Sequence, residues 1–389
     1  MRIHLSALVA TLLGCQVVGG IDERSAASLP SEAPPATADG NRCEPSQQPT
    51  CEGDAPRRCE GARWVVAPVC AGEQPICAGG TCRANRSCAS GKAGAGPSCG
   101  GASGTTDCCQ SLVVEGGKFL RNYDGHGSAV VGPDGAPSTR ILSYDDPSYP
   151  ATLSNFRLDA FEVTVGRFRA FLAESGATQA HPPTKDAGAH PKAPKSGWDP
   201  EWNTRLSRDA RELEAALSCG KQVDAPITWT REPGLYESHP MLCVDWYEAF
   251  AFCAWDGGRL PSDAELNFAA SGGSEQRMFP WAGATISHDH AVYRCSDLGC
   301  LPAVGSKPMG RGRWGQFDLL GSAEEWVLDT YDLPQVPCND CVATQDWASR
   351  LTRGGGYSSA EVLNMWSAFS AGQRAVQRLG MGFRCARDS

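Results

Sequence analysis

"HPMLCVDWYEAFAFCAWDGGRLPSDAELNFAASGG", residues 239–273, is the stretch whose pattern decides the fold. Asp245 is followed three residues later by Glu248, the spacing of a capping box, in which two side chains satisfy otherwise orphaned N–H groups at a helix start. Trp246, Ala249, Phe250, Cys253 and Ala254 then share one face, which predicts a helix after Asp245. Ser262, with Pro261 before it and Glu265 three residues on, repeats the signal and predicts a second helix. Upstream, Thr164 caps a third, in which Val165, Phe168 and Leu172 recur at helical spacing until Gly176 stops the run. Around these helices, Gly-rich and aromatic-rich segments predict short strands and long loops, notably 181–240, 271–315 and 332–347. Loops this long in a compact domain are usually functional or pinned by disulfide or metal. There is no internal repeat and no heptad.

Working outward, the 389-residue chain is 41% hydrophobic and 20% charged, a globular balance able to bury a core. Its net charge of −9 argues against nucleic acid, whose binders need a basic face. Nineteen cysteines point to an oxidising compartment. Met1-Arg2 and the short apolar run Leu5–Leu13 read as a removed export signal, too short to span a bilayer. Leu12-Leu13-Gly14-Cys15 resembles a lipobox, making residues 1–14 a signal peptide and Cys15 the lipid-carrying residue; an ordinary signal cut nearby is the alternative. Such a lipid holds a protein at a membrane surface rather than across it. Gln16 follows, with no retention aspartate, so the expected place is the outer membrane.

Residues 15–42, rich in Ala, Ser, Pro and Glu, read as a solvated tether. Residues 43–110 carry ten cysteines and few large apolar groups, so they depend on disulfides. They read as a spacer stalk or a small binding module, and the absence of paired CxxC units argues against zinc. From Val113 aromatics become frequent and a larger domain begins, carrying the other eight cysteines beyond Cys15. Cys338 and Cys341, a lone CxxC without a thioredoxin-like setting, are expected to close a local loop, as are Cys295 and Cys300.

Six segments in order then resemble one family: "FRLDAFEVTVGRFRAFL" (156–172), the opening stretch (239–273), "FPWAG" (279–283), "PAVGSKPMGRGRWGQFDLLGSAEEWVLDTY" (302–331), "LTRGGGY" (351–357) and "GMGFRCAR" (380–387). Residues 113–388 are identified as a member of the formylglycine-generating enzyme, or sulfatase-modifying factor, family. The resemblance implies an α+β fold related to C-type lectins, low in regular secondary structure. It also implies a disulfide between Cys253 and Cys385, which leaves Cys219 and Cys243 to each other. In "FDLLGSAEEW" it implies a calcium site at Asp318, Gly321, Ala323 and Glu325. Two carboxylates and two carbonyls are the hard oxygen donors calcium takes.

The family's oxidases hold copper(I) with two cysteines just after the Arg-Gly-Gly motif and convert a sulfatase cysteine to formylglycine. Counting forward without gaps places Ser359 and Asn364 at those positions, and no cysteine lies between Cys341 and Cys385. Hydroxyl and amide oxygens are poor copper(I) ligands, so copper is not expected. His288 and His290 read as a solvated loop rather than a metal pair. Most tryptophans are expected in the core, with some in the 181–236 insertion lining a groove. The expected role is binding of a peptide, protein or glycan at the cell envelope, with no nucleic acid and with membrane contact only through the lipid. The alternatives are the formylglycine-generating oxidase and accessory work in envelope cofactor maturation.

Overall fold

The computed structural model describes residues 42–47, 49–52, 55–69, 76–78, 81–83, 85–88, 97–100, 106–123, 147–174, 176–219, 226–332, 335–344, 349–360 and 365–389. Cys15 and the tether up to residue 41 fall outside them.

Helix α1, Val165–Glu174, starts where Thr164 Oγ1 accepts the N–H of Arg167. The next helix, α2, is Ala210–Ala216. It lies in the insertion expected to be a loop. Its start uses the same local code, Asp209 accepting the N–H of Glu212, and its buried leucine is Leu213. Helices α3, Trp246–Trp255, and α4, Asp263–Ser271, both begin with complete capping boxes, at Asp245/Glu248 and Ser262/Glu265. All nine residues of α4 are buried, so local capping and tertiary burial agree.

Short strands surround the helices. Phe156–Asp159 sits between Ser111–Val114 and Ala386–Asp388, antiparallel to both, so the two ends of the larger domain close on one another. A four-stranded sheet runs in the order Ser370–Arg374, Ser349–Arg353, Glu324–Thr330, Met381–Gly382. The main core lies between α1, α3 and this sheet and includes Phe168, Phe250, Phe252, Trp326 and Phe383. Cys253 in α3 is bonded to Cys385, 132 residues away. Cys219–Cys243, Cys295–Cys300 and Cys338–Cys341 are also disulfides. The tryptophans of the insertion turn inward: Trp198 is fully buried, Trp229 nearly so, and Trp202 packs edge-on against Trp198 and Trp246. They contribute to the core.

The Cys-rich segment divides. Its first part forms a small antiparallel sheet of Thr50–Glu52, Ala55–Glu60 and Arg63–Val66, with Cys43 bonded to Cys59. From residue 85 onward the packing differs from that of a spacer. Asn85, Ser87, Cys99 and Cys108 are buried, and Cys99 and Cys108 share an apolar cluster with Phe161 and Val304. Disulfides join Cys88 to Cys109 and Cys99 to Cys108.

A buried ionic network completes this seam. Arg167 donates to Asp159 (2.9 Å), to Asp256 (2.7 Å), to Ser87 Oγ (3.0 Å) and to the Cys108 carbonyl (3.4 Å). Asp256 also accepts the Ser87 N–H at 2.7 Å, and Arg387 spans Asp159 and Asp256. Among the described residues, no helix is long and apolar enough to cross a membrane.

Candidate functional site

The turn after the Arg-Gly-Gly motif is built by glycine. Gly354 and Gly355 have φ of 90° and 61°, a region that side chains avoid, and they reverse the chain leaving Ser349–Arg353. Arg353, before them, is buried and donates to Asp263 at the start of α4. The turn then docks on both sides. Gly321 N–H donates to Gly354 O (2.8 Å), Tyr357 N–H to Ser322 O (2.7 Å), and Cys295 N–H to Tyr357 O (2.7 Å). Arg294 holds the far end, through its N–H to Ser359 O and its Nε to Ala360 O.

Ser359 is half-buried, and its Oγ accepts the Gly356 N–H at 3.0 Å. That bond closes the turn locally and leaves the hydroxyl oxygen engaged with backbone. Asn364 lies outside the described residues. All eight cysteines from Cys219 to Cys385 are in disulfides, so this span offers no free thiol.

Behind the turn lies the set expected to hold calcium. Asp318, Gly321 and Ser322 all have positive φ, which curls the loop. Asp318 accepts the Gly305 N–H at 2.6 Å. Arg384, fully buried, donates to both oxygens of Glu325 and to the carbonyls of Phe317 and Asp318. Glu162, from the Glu-Val-Thr step, accepts the Ser322 hydroxyl (2.9 Å) and the Ala323 N–H (2.7 Å).

Among the described residues, three buried carboxyls therefore share the Arg384 guanidinium, with Lys307 as a further cation acting on Asp318. Burial, then Asp318 and Glu325, push the Glu162 carboxyl well above its ordinary range. Burial is also the main cause that raises Asp318, to about 6, with Glu325 adding to it. Asp318, Glu325 and the carbonyls of Gly321 and Ala323 are hard oxygen donors of the type a divalent cation takes. Both Glu325 oxygens already accept from Arg384, so a cation there would have to share that carboxylate with the guanidinium.

Other candidates separate. His290 stacks on Trp281 (4.7 Å) and His288 on Tyr293 (4.5 Å), each on its own aromatic partner. The group of three metal-type ligands found close together among the described residues is Cys88, Asp107 and Cys109, whose two sulfurs are bonded to each other. Sequence reasoning missed Glu162 and Arg384 as members of the buried cluster. Both sit inside the quoted motifs, but nothing local in "FEVT" or "GFRC" says that the two meet.

Comparison with known proteins identifies the family. The family model "sulfatase-modifying factor enzyme 1-like domain" matches residues 101–389. The serine/threonine-protein kinase pkn1 of Chlamydia caviae is 28% identical over 284 residues, covering 72% of this chain but only 38% of the kinase's length. The inactive C-alpha-formylglycine-generating enzyme 2 of Mus musculus is 26% identical over 236 residues, 56% of this chain and 68% of the mouse protein. The solved structure of PvdO from Pseudomonas aeruginosa aligns at a TM-score of 0.45 and 18% identity, covering 72% of this chain and 94% of that one. From residue 101 to its last residue, the chain belongs to the sulfatase-modifying factor family.

Proposed function

We propose that this family domain serves as a binding module for a peptide, protein or glycan at the cell envelope, and does not oxidise cysteine to formylglycine. One observation carries the reading: from Cys219 to Cys385 every sulfur is in a disulfide, while Ser359 stands at a family cysteine position with its hydroxyl bonded to Gly356. Copper(I) needs soft thiolate ligands, and this span supplies none. The export signal and the lipobox at Cys15 support display on a lipid anchor at the outer membrane. The donor set of Asp318, Gly321, Ala323 and Glu325 supports a structural calcium ion.

The test is to incubate copper-treated full-length protein with a Cys-x-Pro-x-Arg peptide in air and follow the peptide by mass spectrometry. The expected result is unchanged peptide; appearance of the aldehyde overturns the proposal. Incorporation of labelled fatty acid, abolished by Cys15→Ala, is the matching test of the anchor.

A further inference from the structure

A groove remote from the Ser359 turn carries its own chemistry. One end is a cavity of about 390 Å³ whose floor is Phe171 of α1 and Ala251 and Trp255 of α3, with Arg86 and the 181–184 loop on its walls. The other end is a cavity of about 400 Å³, lined among others by Asp186, Gly257, Gly258 and Asp388. Both are lined by Ala187 and Ala254, so the two cavities adjoin at these residues. Each falls within the size range of small-ligand pockets.

The wall is fixed in place. Gly188, at φ 67°, lies so flat on α3 that an added Cβ would come within 3.0 Å of Phe250. Asp186 N–H donates to Trp198 O and Trp198 N–H to Ala187 O, so the loop is tied to a fully buried tryptophan's backbone. A preformed wall lowers the ordering cost of binding.

The two ends differ in charge. Arg86 is exposed and makes no ion pair or side-chain hydrogen bond among the described residues; the same is true of Asp186 at the other end. The remaining charges there are already paired: Arg387 with Asp159 and Asp256, Arg259 with Glu265, and Asp388 with Arg259 at 3.5 Å. An unpaired cation and an unpaired anion thus flank an apolar floor with an aromatic surface. We infer that the groove binds the C-terminal end of a peptide, with its carboxylate at Arg86, an apolar terminal side chain over Phe171 and Trp255, and a lysine or arginine side chain at Asp186. None of its lining residues belongs to the Ser359 turn, so the inference is independent of whether the domain oxidises cysteine.

Fluorescence anisotropy of the full chain tests it. The probes are fluorescein-labelled pentapeptides ending in phenylalanine, with one lysine one, two or three residues before the terminus. The expected result is binding by at least one of them, weakened roughly tenfold by C-terminal amidation, the scale of one lost charge-assisted contact. Arg86→Glu should weaken the free acid and leave the amide unchanged. Asp186→Asn should remove the preference for the lysine peptide over its glutamine counterpart. Both side chains are exposed, so neither substitution disturbs the core. No binding at millimolar peptide, or equal binding of acid and amide, overturns the inference. A free acid such as N-acetylphenylalanine binding as tightly as every lysine peptide also overturns the peptide assignment.

Discussion

Replacing Arg167 by methionine should cost about 3–5 kcal/mol of folding stability at pH 7, the usual penalty for breaking one side of a buried ion pair. The geometry sets this figure. Arg167 is fully buried, and its guanidinium meets two carboxylates, the Ser87 hydroxyl and the Cys108 carbonyl. After the substitution, Arg387 still spans Asp159 and Asp256, so two buried carboxylates share one guanidinium and one negative charge is unpaired. The sign with pH follows from Asp159. Burial alone raises its carboxyl, but Arg387 and Arg167 overcome that and hold it below its ordinary value. A lowered folded pKa contributes stability above the unfolded pKa of about 4 and loses it as pH falls through the folded value. The difference between wild type and variant should therefore be largest near neutral pH and shrink as pH falls, first as the variant's unpaired buried carboxylate takes up a proton and then, below about pH 4, as Asp159 loses its advantage in the wild type. Guanidinium unfolding of the non-reduced proteins at both pH values measures it. A second readout is tryptic cleavage at Arg86, seen on reducing gels, which should speed up because Arg167 holds Ser87 in the seam. A loss below about 1 kcal/mol at pH 7, with unchanged cleavage, would refute the view that this network ties residues 85–109 to the larger domain.

Two further outcomes are expected. Burial, then the neighbouring Asp263, raises Asp329 to about 7, so the folded state prefers the protonated acid and wild-type stability should decline between about pH 4 and 7. Asp329→Asn removes that titration, and a tenfold difference in proton affinity between the folded and unfolded chain is worth about 1.4 kcal/mol. The variant's deficit against wild type should narrow by roughly 2–3 kcal/mol from pH 5 to 8; a constant deficit in urea unfolding contradicts the reading. If Asp318 and Glu325 hold calcium, millimolar calcium should raise the unfolding temperature in proportion to the logarithm of its concentration. Asp318→Ala should abolish that response; identical melting in calcium and in chelator rejects the site.

How much of this is legible in the sequence depends on separation along the chain and on which force does the burying. The starts of α3 and α4 are readable because a capping box lies within four residues, as with Asp245/Glu248 and Ser262/Glu265. The start of α2 uses the same language at Asp209 and Glu212, and Leu206, Ala210, Leu213 and Leu217 follow at helical spacing, but this helix of only seven residues lies within a long stretch of turns and loops that masks the signal. The seam is hidden for a different reason. Residues 43–110 are poor in large apolar side chains, and by composition such a segment has little to bury. Yet Asn85 and Ser87 are buried, because the Ser87 N–H and hydroxyl meet Asp256 and Arg167, partners 169 and 80 residues away. A buried serine is cheap when its N–H and hydroxyl are both satisfied, and no hydrophobic count registers that. The Glu162, Asp318, Glu325 and Arg384 cluster follows the same rule, since its members come from three separate motifs and only the fold makes them neighbours. In this chain apolar periodicity and capping locate the helices, while long-range buried ionic and hydrogen-bonded contacts decide what is joined to what. The sites of interest are therefore found where charged residues have no partner among the described residues, as at Arg86 and Asp186, or where carboxyls outnumber their cations, as around Arg384.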